Sequence, residues 1–133
     1  MASNLIPKLI QFKKVQDADG VLVVGEYEKE IPFPIKRAFW IYNVPEGMER
    51  ANHACKNADS VLICIKGKIK ISLNDGKKEM DYFLECSDKG VLVPRMVWMK
   101  VSEFSSDAIL LVLSSEKYSS EEYCNDYSLF RRN

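Results

Sequence analysis

The chain predicts an all-β fold of about eight to ten short strands, a sandwich or small barrel, for which the jelly roll is the commonest closure. Three observations carry that expectation. Apolar residues recur with a period of two, the repeat of a half-buried strand. Turn signals interrupt that repeat at short intervals: Pro32 with Pro34, Pro45-Glu-Gly47, Lys56-Asn-Ala-Asp59, Ser87-Asp-Lys-Gly90 and Ser105-Ser-Asp107. Finally, the 133 residues contain no repeat, low-complexity tract or Gly/Ser linker. They read as one domain, residues 1–133, long enough to bury about two thirds of its unfolded surface without a disulfide or a structural metal.

The elements follow in order. Residues 20–27 and 35–44 are rich in branched and aromatic side chains and predict strands. Residues 66–73 alternate charged with aliphatic side chains, as a strand with one wet face does. That segment runs through Asn74-Asp-Gly76 into residues 77–83, and Asp-Gly supplies the positive φ angles of a tight hairpin. Further strands are expected over residues 90–93, 97–104 and 108–114. The tail, residues 119–127, reads as a short helix, with Ser119 or Ser120 as cap and two glutamates in its first turn.

Composition excludes several classes of function. Nineteen Lys+Arg balance nineteen Asp+Glu, so the field that wraps nucleic acid or binds anionic membrane is lacking. No apolar run approaches the ~20 residues of a membrane span, and residues 1–8 lack the basic and apolar regions of a signal peptide. A cytoplasmic protein is expected. Its four cysteines, Cys55, Cys64, Cys86 and Cys124, have no ligand-like spacing; Cys64, Cys86 and Cys124 read as reduced, structural thiols, and Cys55 is set apart by its neighbour.

One cluster carries chemistry. His53, the single histidine, stands two residues from Cys55, with Arg50 and Lys56 beside them. On a strand, positions i and i+2 share a face, so an imidazole and a thiol would project together, with cations nearby. That set suits proton transfer next to an anionic ligand. A lone histidine in a strand is more often a hydrogen-bonded structural residue.

Here the residues carry a resemblance. Gly47, five intervening residues, His53-x-Cys55 and then Asp59 resemble the first cupin motif, and residues 94–103, from Pro94 through Met99 to Glu103, resemble the second. Cupins with both motifs usually hold a metal through three histidines and a glutamate. Here Cys55, Met99 and Asp59 stand at the places of two histidines and the carboxylate, a poor donor set for iron or manganese. The match implies a metal-free, RmlC-like cupin: a jelly-roll barrel with a short C-terminal helix.

Within that group the order of Ile31-Pro-Phe-Pro34, Arg37-Ala-Phe-Trp40, Arg50-Ala-Asn-His53-Ala-Cys55-Lys56, Leu73-Asn-Asp-Gly76, Pro94-x-x-x-Trp98, Leu111-Val-Leu-Ser-Ser115 and Asp126-Tyr127 is similar to the WxcM-like dTDP-4-keto-6-deoxyhexose 3,4-ketoisomerases. The resemblance implies a cytoplasmic homodimer, without metal or redox cofactor, acting on dTDP-4-keto-6-deoxyglucose. Its 3-keto product would be consumed by an aminotransferase making a 3-amino sugar for surface glycans or antibiotics. It further implies His53 as the base, and Arg37, Arg50 and Lys56 as cations for the diphosphate. Tyr42 and Trp98 are expected to line the sugar or thymine pocket. Cys55 replaces a second histidine and can be a working acid, a bystander or the mark of lost activity. Met99 replaces a residue that helps set the C4 configuration, so that configuration does not transfer. A nucleotide-sugar-binding cupin without turnover is the alternative reading. A 3,5-epimerase is a third, and its motif order fits less well.

Overall fold

The computed structural model describes residues 5–132. Two five-stranded antiparallel sheets face one another as a jelly-roll sandwich. The first has the order β1 (Lys8–Gln11), β9 (Lys89–Val93), β6 (Ser60–Lys66), β11 (Ile109–Ser114), β4 (Arg37–Tyr42). The second runs β12 (Tyr123–Cys124), β5 (Arg50–Cys55), β10 (Trp98–Ser102), β7 (Ile69–Asn74), β8 (Glu79–Leu84). A separate ribbon pairs β2 (Lys13–Asp17) with β3 (Gly20–Val24). The two ladders stay distinct, so the expected barrel is an open sandwich.

Between the sheets lies the main core, in which Leu62, Cys64, Ile71, Leu73, Val91, Val93, Met99, Val101, Leu110 and Val112 interdigitate. Alternation explains these choices on β7, β10 and β11, whose buried and less buried positions follow a period of two. β6 breaks that rule because both of its faces are covered. Leu62 and Cys64 face the second sheet, while Val61 and Ile63 pack against Phe12, Ile31 and Phe33 from the N-terminal strap. Gly90 lets this strap lie close, since a Cβ there would come within 2.9 Å of the Phe12 ring.

The expected hairpin is present. β7 and β8 pair from Ile69↔Leu84 to Asn74↔Glu79, with Gly76 at φ 97°. Asp75 Oδ1 accepts hydrogen bonds from the Lys77 and Lys78 amides at 2.9 and 3.0 Å, so the loop takes four residues. Gly47 has φ 81° in a turn closed by the Met48 amide donating to the Pro45 carbonyl at 3.0 Å. This turn delivers the chain from β4 to β5.

The tail departs from expectation. Its helix, α1, covers Tyr127–Arg132, and Asp126, not Ser119 or Ser120, caps it: Asp126 Oδ1 accepts the Ser128 amide at 2.9 Å. Residues 119–124 turn instead and add β12 to the edge of β5. Glu122 explains the change. Its carboxylate is buried and accepts the backbone amides of Asn57 and Ala58, a tertiary demand that outweighs local helix signals.

Candidate active site

A cleft of about 630 Å³ opens between the sheets beside β4 and β5, within the usual size range for a small-molecule site. Its floor is apolar, built from Leu62, Val101, Leu110 and Val112, and its walls carry the chemistry. His53, Cys55 and Arg50 enter from β5, Met99 from β10 and Arg37 from β4.

β5 reaches this arrangement through a bulge. Met99 pairs with His53 and Lys100 with Ala51, so Asn52 is left as an extra residue. Ala51 and Asn52 have φ values of 70° and 57°, the left-handed region that non-glycine residues rarely visit. In a regular strand Arg50, three residues from His53, would face the opposite side. The extra residue instead sets Arg50 against Val101, which shares the cleft face with Met99. Both arginines thus reach the space in front of the imidazole.

Burial holds the His53 imidazole below its ordinary value of 6.5, opposed in part by a hydrogen bond to the Ala51 backbone. A neutral ring at physiological pH has an open lone pair and can accept a proton. Cys55 is 5% exposed. Burial first, then the Glu122 carboxylate, pushes its thiol up to about 12. It is a neutral group lining the same cleft as the imidazole, and its environment resists forming the thiolate that proton donation requires.

Arg37 is held in an aromatic bracket, its guanidinium 4.4 Å from the Phe39 ring centroid and 5.0 Å from that of Tyr118. It donates a hydrogen bond from Nη1 to the Tyr123 hydroxyl at 2.8 Å. The Tyr123 ring lies tilted against His53, with centroids 4.4 Å apart. Lys117, Tyr118, Glu122 and Tyr123 all line the cleft, and sequence reasoning missed all four. The only signal was the glutamate before Tyr123, whose role depends on amides 65 and 64 residues away in the chain.

Three expected contacts are not brought to the cleft. Tyr42 lies on the outer face of β4 and is 59% exposed. Trp98 sits on the far side of the second sheet, edge-on to Tyr127 at 5.1 Å and packed against Phe130. Lys56 is exposed beyond the end of β5. Each is one residue out of phase with a cleft residue, Ile41, Met99 or Cys55, and strand alternation sends it outward. Asp59, at the carboxylate place of the first motif, is engaged elsewhere: it accepts hydrogen bonds from the Arg95 amide at 2.8 Å and from Arg95 Nη2 at 2.9 Å.

A jelly-roll sandwich whose cleft presents a strand-borne imidazole and thiol in front of arginines is a cupin. The chain belongs to the FdtA family, described as WxcM-like, C-terminal, whose model matches residues 6–133. It is 36% identical over 125 residues to the TDP-4-oxo-6-deoxy-alpha-D-glucose-3,4-oxoisomerase of Aneurinibacillus thermoaerophilus, covering 94% of this chain and 90% of that one. Among solved structures it resembles WlaRB, a TDP-quinovose 3,4-ketoisomerase from Campylobacter jejuni, with a TM-score of 0.91 and 36% identity over 96% of this chain and 98% of that one. It also resembles a mutant of the 3,4-ketoisomerase QdtA from Thermoanaerobacterium thermosaccharolyticum in complex with TDP-4-keto-6-deoxyglucose, with a TM-score of 0.90 and 32% identity over 95% and 91% of the two chains.

Proposed function

We propose that this chain is a TDP-sugar 3,4-ketoisomerase that converts TDP-4-keto-6-deoxyglucose to a 3-keto-6-deoxyhexose, with His53 as the base. The observation that carries the reading is the neutral His53 imidazole at the wall of a cleft shared with Arg37 and Arg50, in a chain similar to named 3,4-ketoisomerases over nearly its whole length. The C4 carbonyl acidifies the C3–H bond. His53 takes that proton, the electron pair forms the C3=C4 bond of an enediol, and return of a proton to C4 leaves the carbonyl at C3. Electrons stay within the sugar, so the reaction calls for no redox cofactor. Arg50 and Lys117 at the cleft wall suit a diphosphate. Met99 fills the place opposite His53 without offering a proton.

The test is incubation with TDP-4-keto-6-deoxyglucose in D2O, followed by NMR, for the wild type and His53→Asn. Deuterium at the reacting carbons with a 3-keto product, both lost in the variant by a factor of about 100 or more, is expected. The C4 coupling then names the product's configuration. Protein that binds TDP but leaves the sugar unexchanged would be a binding module, and exchange at both C3 and C5 would mark an epimerase.

We further propose a cytoplasmic homodimer. The edge strand β4 exposes Trp40 and Tyr42, at 62% and 59%, and the β2–β3 ribbon stands outside both sheets. Such an edge is ready for another chain. All four cysteines are free, as a reducing compartment keeps them, and no helix among the described residues is long and apolar enough to cross a membrane.

A further inference from the structure

Isomerisation moves two hydrogens, one from C3 to C4 and one from O3 to O4, and His53 accounts for the carbon pair alone. We propose that the Tyr123 hydroxyl handles the oxygen pair, an assignment that rests on the ketoisomerase reading above. As the C4 carbonyl becomes an enol oxygen, the phenol gives its proton to O4. As C3 becomes the carbonyl, the phenolate takes the proton from O3. The phenol is restored, and no electron leaves the sugar.

The geometry supports this in three ways. Tyr123 lines the same cleft as His53, its ring centroid 4.4 Å from the imidazole's, so one sugar edge meets both groups. Its oxygen accepts from Arg37 Nη1 at 2.8 Å, which directs the phenol's own hydrogen elsewhere and stabilises negative charge on the oxygen while the proton is away. Its position is fixed, because Tyr123 pairs with Cys55 in the β12–β5 ladder and the neighbouring Glu122 carboxylate accepts the amides of Asn57 and Ala58. Of the residues beside His53 on the cleft face, Met99 has no proton to give, and Cys55, though it lines the cleft, is only 5% exposed.

Tyr123→Phe keeps the ring and removes only the hydroxyl. With TDP-4-keto-6-deoxyglucose as substrate, kcat is expected to fall by about a hundredfold or more. KM, and the Kd for TDP measured by calorimetry, should stay within about threefold, as expected for a group that acts on the reacting atoms rather than in uniform binding. Tyr123→His, which restores a donor and acceptor, should recover about tenfold over the phenylalanine variant. Turnover by Tyr123→Phe within threefold of wild type would overturn the proposal. So would parallel loss of TDP binding and turnover in both variants, which is the signature of a purely structural tyrosine. Wild-type protein that forms no 3-keto sugar sinks the ketoisomerase reading itself, and the relay with it, before any substitution is compared.

Discussion

His53 and Cys55 stand two residues apart on one strand, and burial acts on them in opposite directions with the same chemical result: each is held neutral. For the histidine this keeps the lone pair open at physiological pH. For the cysteine it keeps the proton on sulfur. The consequence for stability has a definite sign. The folded thiol titrates near 12 and the unfolded one near 9.0, so its contribution is complete below about 9 and is lost as pH rises from there toward 12. In that window a single such thiol gives a slope of about 1.4 kcal/mol per pH unit. Urea unfolding of the wild type and of Cys55→Ala at a series of alkaline pH values measures it. The wild type should lose stability more steeply above pH 9, and parallel curves would refute the assignment. The proximity of these two side chains was legible from their i, i+2 spacing. The fate of the thiol was not, because it depends on Glu122, which arrives from the tail.

At the scale of the element, β5 is where sequence periodicity misleads most usefully. Counting by two puts Arg50 opposite His53. The bulge at Ala51–Asn52 puts them together, at the expense of two residues in left-handed conformations, each of order ~1–3 kcal/mol when non-glycine. Deleting Asn52 should restore a regular ladder in which Arg50 and His53 stand two residues apart and both keep the cleft face. Affinity for TDP, by calorimetry, should then stay within about threefold, while the urea midpoint holds or rises as the left-handed residues are relieved. A loss of affinity of about tenfold or more would mean that the bulge itself, and not only the face Arg50 occupies, sets diphosphate binding. The same alternation that fails at the bulge explains why Tyr42, Trp98 and Lys56 face away from the cleft: a family pattern names positions, but the pleat decides faces. The hairpin at Asp75-Gly76 was readable because its turn chemistry is local. The β12 strand was not, since its two residues pair only because a buried carboxylate brings them there.

For the whole molecule, the sandwich and its core followed from alternating apolar residues on β7, β10 and β11 and from the doubly covered run on β6. What the chain shows to solvent is less settled by periodicity. Trp40 and Tyr42 form an aromatic edge on β4, where a lone chain would carry charge. If two chains meet there, Tyr42→Lys should shift the sedimentation mass from dimer to monomer while leaving TDP affinity within about threefold, because Tyr42 is 59% exposed on the outer face of β4 and does not line the cleft. A wild type that sediments as a monomer would remove the dimer proposal.

The wall formed by Lys117 to Tyr123 has a consequence in time. A ribosome delivers this chain from its N-terminal end, so all five strands of the first sheet and four of the second are synthesised before Glu122 and Tyr123. A nascent chain can bury most of its core while the cleft still lacks a side. Under the readings above, becoming folded and becoming an enzyme are then successive events. The second waits for seven residues, made after every strand of the first sheet, to dock against a strand made long before them.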